Sequence, residues 1–129
     1  MSIALLPKSF DVEHFLAEYW QKKPLLIRGN GSFVDPLEVD ELAGMACEEF
    51  IESRLILSDP SQEHWTLRNG PFPETELRTL ATSHWSLLIQ AADQWDEGAR
   101  AILESFDFIP RWRIDDLMIS LASDGGGVG

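Results

Sequence analysis

Cysteine is almost missing from this sequence. Among 129 residues only Cys47 carries a thiol, which excludes an intramolecular disulfide framework and fits a reducing compartment. Basic side chains are scarce too. Ten Lys and Arg stand against 22 Asp and Glu, a net charge of −12 at pH 7. That balance argues against nucleic acid or an anionic membrane as a direct partner. It favours a basic partner, or simply solubility. No apolar run reaches membrane-spanning length, and the opening MSIALLPKSF is too short for a secretory segment with its cleavage site. A cytoplasmic protein is expected. Disorder is excluded, because 44% hydrophobic and 10% aromatic residues suffice for a core. The length is that of one domain.

Common catalytic motifs are absent as well: no G-x-S-x-G, no Walker lysine and no C-x-x-C. His14, His64 and His84 have no carboxylate or cysteine at a metal-ligand spacing, so surface or packing roles are expected. Cys47 reads as a small buried hydrophobe. Trp112 lies between Arg111 and Arg113. Two arginines weigh little against the acidic balance, so packing is expected there rather than base stacking. Asp115 and Asp116 adjoin, but neighbours on a strand point to opposite faces and cannot share a proton. No catalytic residue and no metal ligand is assigned.

What is present reads as alternating helices and strands. Val12, Phe15, Leu16, Tyr19 and Trp20 form one apolar stripe, predicting a helix over about 11–20 with Ser9 or Asp11 as cap. Pro24 stops it. Leu25-Leu26-Ile27 reads as a short buried strand, ended by Gly29-Asn30-Gly31. Asp35-Pro36 opens a second helix, with Asp35 as cap and Glu38 at its third position. Val39, Leu42, Ala43, Ala46 and Phe50 share one face of it, and acids cover the other. Strands follow near 53–57 and 64–68, joined through Ser58-Asp59-Pro60-Ser61. Asn69-Gly70-Pro71 breaks the chain before a short helix near 74–80. Residues 85–90 read as a strand and 95–106 as a helix, with Trp95, Ala99, Ile102, Leu103 and Phe106 on one face.

The last strand, about 113–121, carries two unlike faces. Leu117, Ile119 and Leu121 are apolar, whereas Asp116, Met118 and Ser120 are partly polar. A strand open to water on one side alternates this way, and so does one lining the wet interior of a small barrel. Periodicity leaves both open. Charge is uneven too: residues 35–63 hold nine acids against the single base Arg54. The glycine-rich end, Gly125 to Gly129, follows straight after a strand, and the chain reads as cut there.

Several blocks in register resemble one family. Phe15-Leu16-Ala17-Glu18-Tyr19-Trp20-Gln21-Lys22-Lys23-Pro24-Leu25-Leu26-Ile27-Arg28 is similar to the amino-terminal signature of the bacterial ribosomal oxygenases, which are JmjC-type cupins. Asp40 to Gly44, Glu52 to Leu55, Asn69 to Phe72 and Trp85 to Ala91 continue the match. Pro110 to Ser120 and then Gly125 to Gly129 are its most specific part. The resemblance implies an α+β fold, with helices packed on a short mixed sheet. That fold would be the N-terminal portion of a double-stranded β-helix, its first barrel-entry strand at about 113–121 within a single unit, 1–129.

The resemblance also implies a parent that hydroxylates an arginine of a basic large-subunit ribosomal protein with Fe(II) and 2-oxoglutarate. In the family an H-x-D motif and a later His hold the iron as a facial triad. This sequence ends before that motif, so no metal or cosubstrate ligand is carried over, and the chain is expected to be inert alone. Asp116, Met118 and Ser120 are the residues expected to line the pocket. An apolar edge strand without its neighbours is an association site, so self-association through 114–121 is expected. The alternative is a non-enzymatic acidic module that holds a basic partner through 35–63. The codons after Gly129 discriminate the two.

Overall fold

A computed structural model of the chain describes residues 5–29, 33–61 and 63–128. Four strands build one sheet: β1 Ser53–Asp59, β2 His64–Asn69, β3 Trp85–Ile89 and β4 Ile119–Ala122, in the order β2-β1-β3-β4. Every ladder among the described residues is antiparallel. The mixed pairing expected from sequence is confined to one isolated parallel bridge, Ser83 with Asp124. The last strand takes an edge.

Alternation decides what each face of the sheet does. The register places Leu55, Leu87 and Leu121 side by side on one face. Helix α2, Val39–Ala46, covers that face with Leu42 and Ala46, and Phe72 closes it beside the short helix α3, Glu74–Arg78. Ile51, Ile89, Ala92 and Ala99 complete the buried cluster. Burying each large aliphatic side chain of this set stabilises the fold by about 1.5–3 kcal/mol. Helix α4, Glu97–Glu104, contributes Ala99, Ile102 and Leu103, and the Asp96 carboxylate caps it by accepting from the Ala99 N–H at 2.8 Å.

The first helix, α1, is found over Val12–Glu18 with Asp11 as its cap, accepting from the His14 N–H at 3.0 Å. Its stripe is half-buried. Phe15 sits in an aromatic cluster with Phe10 and Phe108, and Phe106 extends that cluster through Phe108.

Four expectations are corrected. Leu25-Leu26-Ile27 forms no strand, and Leu26 is 75% exposed, because no strand among the described residues takes up this short run's backbone. Asn30 and Gly31, of its expected turn, lie outside the described residues, as does Gly129. Helix α2 starts at Val39 rather than at Pro36, because the Glu41 carboxylate accepts from the Glu38 N–H at 2.7 Å and fixes Glu38 as the cap. Its expected apolar face is narrower, with Val39 56% and Phe50 62% exposed. The helix expected over 95–106 is shortened to α4 by the Asp96 cap.

The fourth correction concerns the last strand. Arg111–Arg113 form a 3-10 turn, and the ladder begins only at Ile119. Side chains capture the backbone before it can pair. Asp93 accepts from the Leu117 N–H at 2.9 Å, and Asp116 accepts from the Ala91 N–H at 2.8 Å.

Candidate functional site

The residues singled out near the last strand are joined through two others. Arg54 donates from Nη2 to the Gln90 amide oxygen at 2.8 Å, and it also reaches the Met118 sulfur at 3.6 Å. Gln90 in turn donates from Nε2 to Asp116 at 2.6 Å. Asp116 and Met118 therefore meet through Arg54 and Gln90. Ser120 is paired with Leu88 in the β3–β4 ladder and is exposed. Arg54 Nε and the Ser86 hydroxyl are buried and find no hydrogen-bond partner among the described residues. Ser86 lies on the same face of β3 as Leu88.

The glycine turn packs directly against this face. A Cβ on Gly126 would stand 2.2 Å from the Trp85 carbonyl oxygen and 3.0 Å from the Ser86 hydroxyl, so only glycine fits. Gly125 has φ +70, a conformation that glycine adopts without a Cβ penalty.

Two clefts flank the sheet on its helical side. The larger, about 1120 Å³, lies between α2 and α3 over β3 and β4. The smaller, about 360 Å³, runs along β4 and is lined by Met118 and Ser120 together with Asp35, Pro36 and Leu42. Asp116 lines neither, because its carboxylate is turned into the loop after β3. Among the described residues no strand pairs with the outer edge of β4. Ser123 N–H reaches the Trp85 carbonyl at 3.0 Å and Ala92 N–H reaches that of Leu117 at 2.8 Å. Odd-numbered residues thus carry the β3 ladder, and the backbone groups of Met118, Ser120 and Ala122 point outward.

The side chains do not fit an iron triad. Among the described residues, no three or more His, Cys, Asp or Glu groups come together to hold a metal. His14 and His64 are exposed, and His84 Nδ1 lies 2.7 Å from the Ser83 hydroxyl. Asp115 is exposed while Asp116 is engaged, so they form no dyad.

Two side chains stand differently from expectation. Cys47 is half-buried at the end of α2, lining the larger cleft, rather than sunk in the core. Trp112 is 80% exposed, with the Arg113 guanidinium over its ring at 5.0 Å, and does not pack into the core. The turn Arg111–Arg113 lifts it away. Arg54 and Gln90 were missed by the reading of the sequence. The one signal for Arg54 was its position as the lone base within 35–63.

No family model matches the chain. It is 44% identical over 116 residues to the ribosomal protein uL16 3-hydroxylase of Escherichia coli (strain K12), covering 89% of this chain and 30% of that protein. It is 37% identical over 125 residues to a probable ribosomal oxygenase of Haemophilus influenzae, covering 96% of this chain and again 30% of the relative. The chain thus spans about 30% of the length of the curated relatives it matches. Among solved structures, the ribosomal oxygenase YcfD from Escherichia coli superposes with a TM-score of 0.84 at 43% identity, over 94% of this chain and 33% of that one. The same protein in complex with cobalt and 2-oxoglutarate matches equally. The chain is similar in sequence and structure to part of the ribosomal oxygenases, and its α+β fold is that of part of their JmjC/cupin structure.

Proposed function

We propose that this chain is a sheet-and-helix portion of a ribosomal-protein hydroxylase. The whole protein would oxidise an arginine of a large-subunit ribosomal protein in the cytoplasm, with Fe(II) and 2-oxoglutarate. The observation that carries the reading is the joint match in sequence and fold to a third of the uL16 hydroxylase type. A cobalt complex with 2-oxoglutarate in a neighbouring structure supports the cofactors. Iron and cosubstrate would supply the oxidising chemistry. This chain's residues would supply a rigid wall. In this reading Met118 and Ser120 face the pocket, and Asp116, turned into the loop after β3, holds Gln90 and through it the Arg54 that reaches Met118.

Alone, the chain is inert and engages partners in two ways. Its acidic surface attracts a basic ribosomal protein, and the open edge of β4 pairs with an unpaired strand, including that of a second copy. The acidic-module reading rests on the same nine acids of 35–63 and needs no chemistry.

The test is succinate release with Fe(II), ascorbate and a basic large-subunit ribosomal protein. The 129-residue chain is run beside one extended through an H-x-D motif and a later His. Turnover by the extended chain alone is expected. Turnover by the short chain, or by neither, overturns the reading, and the second outcome favours the acidic module.

A further inference from the structure

The larger of the two clefts lies away from the Asp116 network. It is a half-open trough between α2 and α3, about 1120 Å³ in volume. That exceeds the roughly 300–1,000 Å³ of a small-molecule pocket. Its floor is apolar, built by Phe72, Leu77, Trp85 and Leu87. Charge is confined to the rim. Glu74 is closed on Arg78 by an ion pair, whereas Asp40 and Glu48 are exposed and make no salt bridge among the described residues.

We infer that this trough docks a segment of a basic protein, with leucine-like anchors on the floor and Lys or Arg side chains at Asp40 and Glu48. Charge decides the occupant. A second copy of a chain with net charge −12 would bring acid rim against acid surface, a like-charge juxtaposition that disfavours pairing. A basic segment gains from the same field. The choice of a basic occupant rests on the proposed ribosomal-protein partner; the trough itself does not.

Two residues make the trough testable. Cys47 lines it and is the chain's only thiol, so its modification rate reports occupancy. Gly44 lines it as well, and a Cβ there would meet nothing within 4 Å. A large side chain at 44 can therefore enter the trough without disturbing the core.

The experiment follows the reaction of Cys47 with an aromatic disulfide reagent, with and without an amphipathic leucine–lysine peptide. A leucine–glutamate peptide of the same pattern is the control. At saturating peptide the lysine form is expected to slow modification by about tenfold or more, and salt should weaken the effect. Gly44→Trp should abolish protection while Gly44→Ala keeps it, both melting as folded proteins. Asp40→Asn with Glu48→Gln should weaken binding and flatten its salt dependence.

Unchanged reactivity, equal protection by the glutamate peptide, or protection that persists in Gly44→Trp would each overturn the inference. The assay contains no iron, cosubstrate or ribosomal protein. A failure here leaves the hydroxylase reading standing, and missing turnover leaves the trough standing.

Discussion

The Asp116 carboxylate accepts from the Gln90 side-chain amide at 2.6 Å and from the Ala91 backbone at 2.8 Å, and so holds the turn that ends β3 against the segment entering β4. Removing it leaves a half-buried amide and a backbone N–H without their acceptor. Asp116→Ala is expected to destabilise the fold by about 1–3 kcal/mol. The neighbouring, exposed Asp115→Ala should stay within about 0.5 kcal/mol. Urea unfolding of the two variants side by side checks this. Equal losses would remove the special role of Asp116.

The same turn holds Ala91 at φ 51 and ψ 41. The left-handed conformation costs an L-residue about 1–2 kcal/mol, whereas glycine there costs about 0.4–1 kcal/mol through the unfolded chain. Ala91→Gly is therefore expected to raise the thermal midpoint modestly. A fall would mean that the Ala91 methyl contributes packing that outweighs its backbone strain.

Two glycines should respond in opposite directions to the same added methyl. Gly126→Ala drives a Cβ to 2.2 Å from the Trp85 carbonyl oxygen, and is expected to cost about 2 kcal/mol or more. Gly44→Ala sits in helix α2 facing open space, and should stabilise by up to about 1 kcal/mol. Chemical denaturation of both variants decides it, and a stabilising Gly126→Ala would refute the packing described at that turn.

Salt should separate the two partner surfaces. Raising ionic strength screens the −12 charge, so pairing of two copies along β4 is expected to strengthen while capture of a basic protein weakens. Sedimentation across a salt series reads the first, and titration with a basic ribosomal protein reads the second. Ser120→Pro should abolish the self-pairing and spare the β3 ladder, because the Ser120 N–H points outward. Pairing that salt suppresses would argue against the β4 edge.

Local signals carried most of the element order. Asp11 caps α1 because a carboxylate three residues before an N–H is a short-range device, and Pro60 with Ser61 announces the β1–β2 turn. The start of α2 was misplaced for a physical reason. Asp35 followed by Pro36 is a strong local start signal, and only the folded contact between Glu41 and the Glu38 N–H moves the cap to Glu38. The site was less legible. Arg54 and Gln90 lie 36 residues apart, and Gln90 and Asp116 lie 26 apart, so no spacing rule brings them together. Nor does periodicity show that Asp93 and Asp116 would shorten the last strand. Trp112 looked like core material because aromatic content says nothing about which ring finds a partner.

The strand order β2-β1-β3-β4 has a consequence for time as well as space. The β1–β2 hairpin closes across a few residues, whereas Leu55 meets Leu87, and Leu87 meets Leu121, only after long loops have been drawn in. Loop-closure entropy rises with the length enclosed, and non-local pairings form late. The hairpin is expected to be the first part of the sheet to assemble. The four-residue β4, joined on one side only among the described residues, arrives last and is the first to fray, so amide exchange should climb from β1 to β4 long before the whole chain unfolds.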